Sequence, residues 1–288
     1  MRKAIDIVNK DYVTVDALWG MMQVQEIAKD TKTDCFPVIK DGKIIGVLTK
    51  TDLIISHPNR IVLDTMSGSF KYIEAEESVW KAKELFEEEK IEILLVCQDE
   101  KIIGVITKND ICLEINKHID LMTGLYKKDY IIYKSLKLLK EGKEIYIIFF
   151  DVNNFGYIDK KFGHVVGDSI LKEISQILKD NTPEGGFLCR YGGDEFVLLL
   201  DKCADDCKTL TREIINKINQ HEFYKDINIS ISAGIAGGKR QSADKENLYK
   251  TVVNLINAAS LASTKAKNEK GNLTLGHIGI IDAQASMI

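Results

Sequence analysis

The sequence predicts an α+β protein of two domains, and two observations carry that prediction. The stretch DGKIIGVLTKTDLI (41–54) returns as DEKIIGVITKNDIC (99–112), 58 residues on, so the first part of the chain is a pair of similar units. From about residue 120 the pattern changes to apolar strands, amphipathic helices and a hairpin at RYGGDEFVLLL (190–200), which reads as an antiparallel-containing sheet with helices on it. A chain of 288 residues is long enough for both parts to have cores of their own.

Composition narrows the function classes. With 45% hydrophobic and 28% charged residues the chain is an ordinary globular protein. A net charge of −4 argues against a nucleic-acid or membrane-surface protein, which would carry a basic excess. No apolar run approaches the roughly 18–20 residues of a membrane span. The start, MRKAIDIVNKD, lacks the apolar centre of a signal peptide. Six cysteines (35, 97, 112, 189, 203, 207) show no framework spacing, and Cys203 and Cys207 have neither a second pair nor a nearby His to complete a metal site. A reduced, cytoplasmic protein is expected.

In each copy of the repeat the matched stretch is a strand, a turn, a second strand ending in Gly-Val-x-Thr, and a helix beginning at the following x-x-Asp. Before it, TVDALWGMMQVQEIAKDTKTDCFPVIK and YIEAEESVWKAKELFEEEKIEILLVCQ each supply a short strand, an amphipathic helix and a buried strand. This arrangement resembles a tandem pair of CBS domains, a Bateman module, over residues 1–114. The resemblance implies an α/β regulatory module in which the hydroxyl and carboxylate of Thr49 and Asp52, and of Thr107 and Asp110, hold the ribose of an adenine nucleotide. Read from spacing alone, the same Thr and Asp make a helix N-cap.

The junction, ICLEINKHIDLM (111–122), has no Pro or Gly and places Ile111, Ile115, Ile119 and Met122 at helical spacing. It predicts a helix that runs from the repeat straight into the second domain.

In the second domain the pattern is strand–helix–helix–strand–hairpin. The apolar strand in IYIIFFDVNNF (145–155) ends at Asp151, an acid that stays near a core only if paired or metal-bound. A short helix follows, then a Gly163-His164 turn and an amphipathic helix opened by Gly167-Asp168, with Ile170, Leu171, Ile174, Ile177 and Leu178 inward. The strands FLCRY (187–191) and FVLLL (196–200) flank Gly192-Gly193, read as a two-residue turn with φ > 0. A helix over 208–221, a strand over 227–236, a long helix over 246–268 and a terminal strand complete the domain.

Six motifs here stand in one order: LMTGL (121–125), FDVNNF (150–155), GHVVGD (163–168), RYGGDEF (190–196), SAG (232–234) and AK (266–267). Together they resemble a GGDEF domain, the diguanylate cyclase family, with its palm-like fold, over a domain spanning 115–288. The resemblance implies an enzyme that condenses two GTP molecules to the second messenger cyclic di-GMP, releasing pyrophosphate. It implies Asp151, Asp194 and Glu195 as catalytic acids, and Mg2+ (or Mn2+) held by Asp151, the Val152 carbonyl and Asp194. It also implies GTP contacts from Phe155, Asp159, Asp168, Gly192, Gly193 and Lys267, and a homodimer, because each domain holds one GTP and the two must face.

Several positions depart from the family pattern. Gly156 stands for a Lys, Asn153 for an acid, Asp159 for an Asn on the guanine edge, Thr264 for a Tyr and Gly271 for an Arg; the product-feedback R-x-x-D would fall at Pro183 and Gly186. Three readings therefore remain open: a nucleotide-regulated diguanylate cyclase, a degenerate GGDEF domain acting as a GTP-binding sensor, and a cyclase of altered nucleotide preference.

Overall fold

A computed structural model of the chain describes residues 1–31, 33–224, 227–241, 247–269 and 272–281. The chain divides into two units, Met1–Lys117 and His118–Ile288.

The first unit is built twice from one plan. One copy contains β1 (Val15–Asp16), α1 (Met21–Asp30), β2 (Cys35–Lys40), β3 (Lys43–Thr49) and α2 (Lys50–Ile55). The other contains β4 (Phe70–Glu74), α3 (Val79–Glu89), β5 (Ile93–Gln98), β6 (Lys101–Thr107) and α4 (Lys108–Lys117). Each forms a three-stranded sheet, β1-β2-β3 or β4-β5-β6, with the first pair parallel and the second antiparallel. Cys35 and Val47 of the first sheet share a core cluster with Ile93, Leu95 and Val105 of the second, so one copy completes the apolar face of the other.

The two copies also exchange their leading segments. A single 3-10 turn at Ala4–Asp6 leads into Asn9, which bridges Val105 of β6; its counterpart at Val62–Asp64 leads into Ser67, which bridges Val47 of β3. Both bridges lie beside a glycine. A Cβ on Gly104 would lie 2.4 Å from the Asn9 carbonyl oxygen, and one on Gly46 would lie 2.8 Å from that of Ser67. The repeated Ile-Ile-Gly-Val is thus a strand that must admit a crossing backbone, which no side chain allows.

In the second unit, strand order is β12-β11-β8-β10-β9-β7. The strands are β7 (Tyr126–Lys127), β8 (Ile145–Val152), β9 (Phe187–Arg190), β10 (Glu195–Leu200), β11 (Ile231–Lys239) and β12 (Leu273–Ile280). The helices are α5 (Lys128–Lys140), α6 (Phe155–Phe162), α7 (His164–Asp180), α8 (Ala204–Gln220) and α9 (Leu248–Asn268). Side chains alternate across a strand. Tyr146, Ile148, Phe150 and Val152 of β8 join one core with α7 and α8, while Ile145, Ile147 and Phe149 join another with α5 and α9. The same period carries Asp151, the next residue of the second set, to the end of the α5/α9 face.

Several sequence expectations are corrected. The junction is not one helix through Met122: α4 stops at Lys117, and residues 118–120 pair with 125–127 instead (Asp120 N to Leu125 O 2.8 Å, Lys127 N to His118 O 2.9 Å). The Asp120 carboxylate captures the Thr123 N–H and hydroxyl, and Gly124 turns at φ +66°, which together close a turn that propensity alone does not favour. The hairpin has no two-residue φ > 0 turn: neither Gly192 nor Gly193 is left-handed, and Tyr191 and Gly192 both donate to Glu195 O, closing a loop over 192–194. Helix α7 starts at His164, ahead of Gly167-Asp168, α8 starts at Ala204, and β11 runs Ile231–Lys239, because Ser230 is already engaged with Asn153 beyond the end of β8. Helix α5 was not singled out by its pattern.

Gly104→Ala is expected to destabilise the protein by about 1–3 kcal/mol, the usual cost of forcing a side chain into a packed site. Gly68→Ala, with open space around it, is expected to stay within about 0.5 kcal/mol of wild type. Urea unfolding of the two variants checks the difference.

Candidate active site

The site grows from strand register. In the antiparallel β8–β10 pair Asp151 stands directly opposite Glu195, and in β8–β11 it stands opposite Ser232. Two carboxylates facing each other across strands repel. Asp194, in the hairpin loop next to Glu195, accepts the Val152 N–H on its carbonyl oxygen (3.2 Å), which ties the loop to the end of β8.

Lys267 bears on all three acids, and Arg190 acts on Asp194 as well. Lys267 of α9 donates from Nζ to Asp151 Oδ1 at 2.7 Å, with both side chains largely covered. It reaches this far because α9 lies unusually close to β11: a Cβ on Gly234 would stand 2.0 Å from the Ala259 carbonyl oxygen and 2.3 Å from the Ser263 nitrogen. That contact is the physical reason for Gly in Ser-Ala-Gly. Burial, then the charge of Asp151, pushes the Asp194 carboxyl above its usual range, and burial with the charges of Asp151 and Asp194 does the same to Glu195. The cluster therefore holds more negative charge than its lysine offsets.

The glycines act differently from the sequence expectation. A Cβ on Gly192 would stand 2.2 Å from Glu195 Oε2, whereas Gly193 faces open space. Gly192 makes room for the carboxylate of its own hairpin. The Gly193 carbonyl accepts from Arg190 Nε (3.0 Å) and Nη2, and Arg190 Nη1 donates to Asp120 Oδ1 (3.0 Å). Burial would raise the Asp120 carboxyl, but the Thr123 and Arg190 hydrogen bonds outweigh it and hold Asp120 below the ordinary carboxylate range. Arg190 thus locks the loop that carries Asp194. Sequence reasoning missed this clamp, although an Asp three residues before Thr123 was a signal for the turn it anchors.

Asn153 is held by Ser230 and Ser232, donating from Nδ2 to Ser230 Oγ and accepting from Ser232 Oγ, each at 2.9 Å. The amide donates to one hydroxyl and accepts from the other, so this departure from the family pattern has a local structural use. Beyond it, Asn154 is left-handed at φ 55° and offers no side-chain cap, which leaves the first N–H groups of α6 available to an anion. Gly156 faces open space.

Phe155 and Asp159 converge on Gly167, where a Cβ would stand 2.0 Å from Asp159 Oδ1 and 3.1 Å from Phe155 Cζ. Asp168 follows Gly167 and is exposed. Asp159 Oδ2 lies 2.7 Å from His164 Nδ1. Gly271 lies outside the described residues.

In the first unit, Thr49 and Asp52 form a reciprocal capping box at α2: Thr49 N and Oγ1 donate to Asp52 Oδ2 (2.8 and 2.7 Å), and Asp52 N returns to Thr49 Oγ1 (3.2 Å). Thr107 and Asp110 repeat it at α4 (2.9, 2.7 and 3.2 Å). Each pair stabilises its helix start. Among the described residues, no three His, Cys, Asp or Glu side chains converge as a ready-made metal site, and no helix is long and apolar enough to cross a membrane.

Comparison with known proteins bears on both units. The family model described as "Diguanylate cyclase, GGDEF domain" matches residues 117–273, and that of the CBS domain matches 4–56 and 62–117. The diguanylate cyclase DgcS of Shewanella oneidensis is 31% identical over 136 residues, covering 45% of this chain and 45% of its own length. Diguanylate cyclase DosC of Escherichia coli is 30% identical over 135 residues, covering 43% and 29%. The signaling protein YkoW of Bacillus subtilis is 27% identical over 180 residues, covering 59% and 22%. The matched region is therefore less than half the length of each of these curated relatives. The coiled coil and GGDEF domain of DgcB from Caulobacter crescentus, solved with c-di-GMP, has the same fold at a TM-score of 0.51 and 18% identity, covering 57% of this chain and 88% of that one.

The acid cluster has a measurable cost. A carboxyl whose folded pKa is raised contributes stability below its unfolded value, near 3.8 for Asp, and loses it as pH rises through the folded value. Asp194→Asn, which stays neutral, is expected to melt above wild type at pH 7 without divalent cations, and to lose that advantage below pH 3.8. Thermal melts at the two pH values test it.

Proposed function

Because the chain belongs to the diguanylate cyclase GGDEF family and carries two CBS domains ahead of that domain, we propose that it is a nucleotide-regulated cyclase condensing two GTP molecules to cyclic di-GMP with release of two pyrophosphates. The observation that carries this reading is the pairing of Asp151 with Glu195 across adjacent strands, beside Asp194, in a cluster with more negative charge than Lys267 offsets.

The donor set fits a hard divalent cation. Asp151, Asp194 and the Val152 carbonyl offer oxygen ligands of the kind Mg2+ takes (Mn2+ is equally served), and triphosphate oxygens and water would complete its preferred number. When bound, the ion would neutralise triphosphate charge and ease deprotonation of the attacking 3′-hydroxyl. Glu195, whose carboxyl is pushed up by burial and then by the charges of Asp151 and Asp194, is suited to accept that proton. Lys267 supplies a point charge to the phosphates, the open N-terminus of α6 supplies N–H groups, and Gly192 and Gly193 form the loop over which the nucleotide lies. Phe155, Asp159 and Asp168 would receive the base, the carboxylates accepting from the guanine N1–H and 2-amino group. One domain holds one GTP, so synthesis requires a homodimer. A nucleoside triphosphate substrate suits a cytoplasmic protein.

The CBS pair is read as a regulatory site for an adenine nucleotide, with Thr49, Asp52, Thr107 and Asp110 at the ribose. Coupling of about 1–3 kcal/mol would change the active population by 5- to 150-fold. A second reading, a GTP sensor without synthesis, is favoured by open space at Gly156 where the family pattern has a Lys.

Incubating the full chain with Mg2+ and each of the four nucleoside triphosphates, singly and in pairs, separates these readings by product mass. Cyclic di-GMP from GTP alone is expected, and GTP binding without product would establish the sensor. Asp194→Ala is expected to cut synthesis at least about a hundredfold, as loss of a metal ligand does. An adenine nucleotide is expected to change the initial rate at saturating GTP, and an unchanged rate despite measured binding would leave the CBS pair without a regulatory role.

A further inference from the structure

We propose that His164 is a positioning residue for the nucleobase, holding the Asp159 carboxylate in one orientation so that its other oxygen and Asp168 read the purine edge together. The inference rests on the guanine reading above and adds a specificity determinant to it.

Helices α6 and α7 meet at Gly163, which turns the chain at φ +87° and donates its N–H to the Asp159 carbonyl at 2.9 Å. Across that turn His164 Nδ1 lies 2.7 Å from Asp159 Oδ2, the imidazole donating through Nδ1–H to the carboxylate. The His164 side chain is 88% exposed and that of Asp159 only 23%. A pair in open solvent fixes little, but here the carboxylate is confined on a second side. Oδ1 lies where a Cβ on Gly167 would be 2.0 Å away, and the same missing Cβ leaves room for the Phe155 ring. One oxygen of Asp159 is thus taken by His164, and the other rests on the bare backbone of α7, one residue before Asp168.

A carboxylate accepts hydrogen bonds and donates none, so Asp159 reads donors only. On a purine edge the 2-amino group is the donor that separates guanine from hypoxanthine. A site built around such a group rejects the base that lacks it, because its acceptor is left unpaired. That discrimination requires Asp159 to stay in place, and His164 is the group that holds it.

The test uses the full-length protein, titrated with the Mg2+ complexes of GTP and ITP, alongside steady-state pyrophosphate release. Wild type is expected to bind GTP more tightly than ITP. His164→Ala is expected to raise both Kd and KM for GTP about tenfold, the equivalent of roughly one hydrogen bond, with a much smaller change in kcat and a GTP-to-ITP ratio moved toward one. His164→Asn, which keeps a donor near that position, is expected to recover most of the ratio. If wild type prefers GTP and His164→Ala keeps the same Kd and ratio, the positioning role is wrong while the guanine reading stands. Equal weakening of GTP and ITP, with no rescue by Asn, also overturns it. If wild type binds GTP and ITP alike, the guanine reading itself has failed.

Discussion

The antiparallel register between β8 and β10 sets Asp151 opposite Glu195, and most of the second unit is arranged around that unfavourable pair. Folding does not remove the repulsion. It surrounds the pair with a limited set of compensations: Lys267 on Asp151, the Val152 N–H on the Asp194 carbonyl, and the Arg190 bridge from Gly193 to Asp120. Each compensation comes from a different element, so the site is a consequence of how α9, the hairpin and the 118–127 turn pack on one sheet. Excess negative charge at the edge of an otherwise apolar sheet is stable only because both faces bury large cores. On the proposed reading, this is the condition in which a divalent cation gains most.

Glycine recurs in this molecule as a device for close approach. Gly234 brings α9 onto β11, Gly192 admits Glu195, Gly167 admits Asp159 and Phe155, and Gly46 and Gly104 admit the crossing leading segments of the repeat. None of these five is a positive-φ glycine. Their common reason is steric: each faces backbone or a functional side chain at a distance no Cβ tolerates. Motifs dense in glycine can therefore mark where a fold presses one element against another, as well as where a chain turns.

The departures from the family pattern fall into two kinds. Asn153 is absorbed locally, because its amide links Ser230 and Ser232. At Asp159 a group that only accepts stands where the family pattern has one that can also donate, and His164 pairs with it. The first adjusts the scaffold that carries Asp151, whereas the second, on the proposed reading, bears on which base is recognised.

Sequence alone determined the division into a repeat and an α+β domain, because a 58-residue self-match and strand and helix periods are local properties of the chain. It also singled out Asp151, since an acid that ends a long apolar strand needs a partner, and the order of motifs added Asp194 and Glu195 by resemblance to the family. Their partners were not legible. Lys267 lies 116 residues from Asp151, Arg190 lies 70 from Asp120, and neither pairing follows from any period. The junction after Lys117 misled for a related reason: its apolar spacing suits a helix, but Asp120 and Gly124 close a turn whose pairing residues lie further along the chain. The exchange of leading segments between the two repeat copies likewise needed both copies folded. Periodicity records which face of an element is apolar. Only tertiary packing decides which distant backbone or charge that face will meet, because that depends on distances between elements that no local pattern encodes.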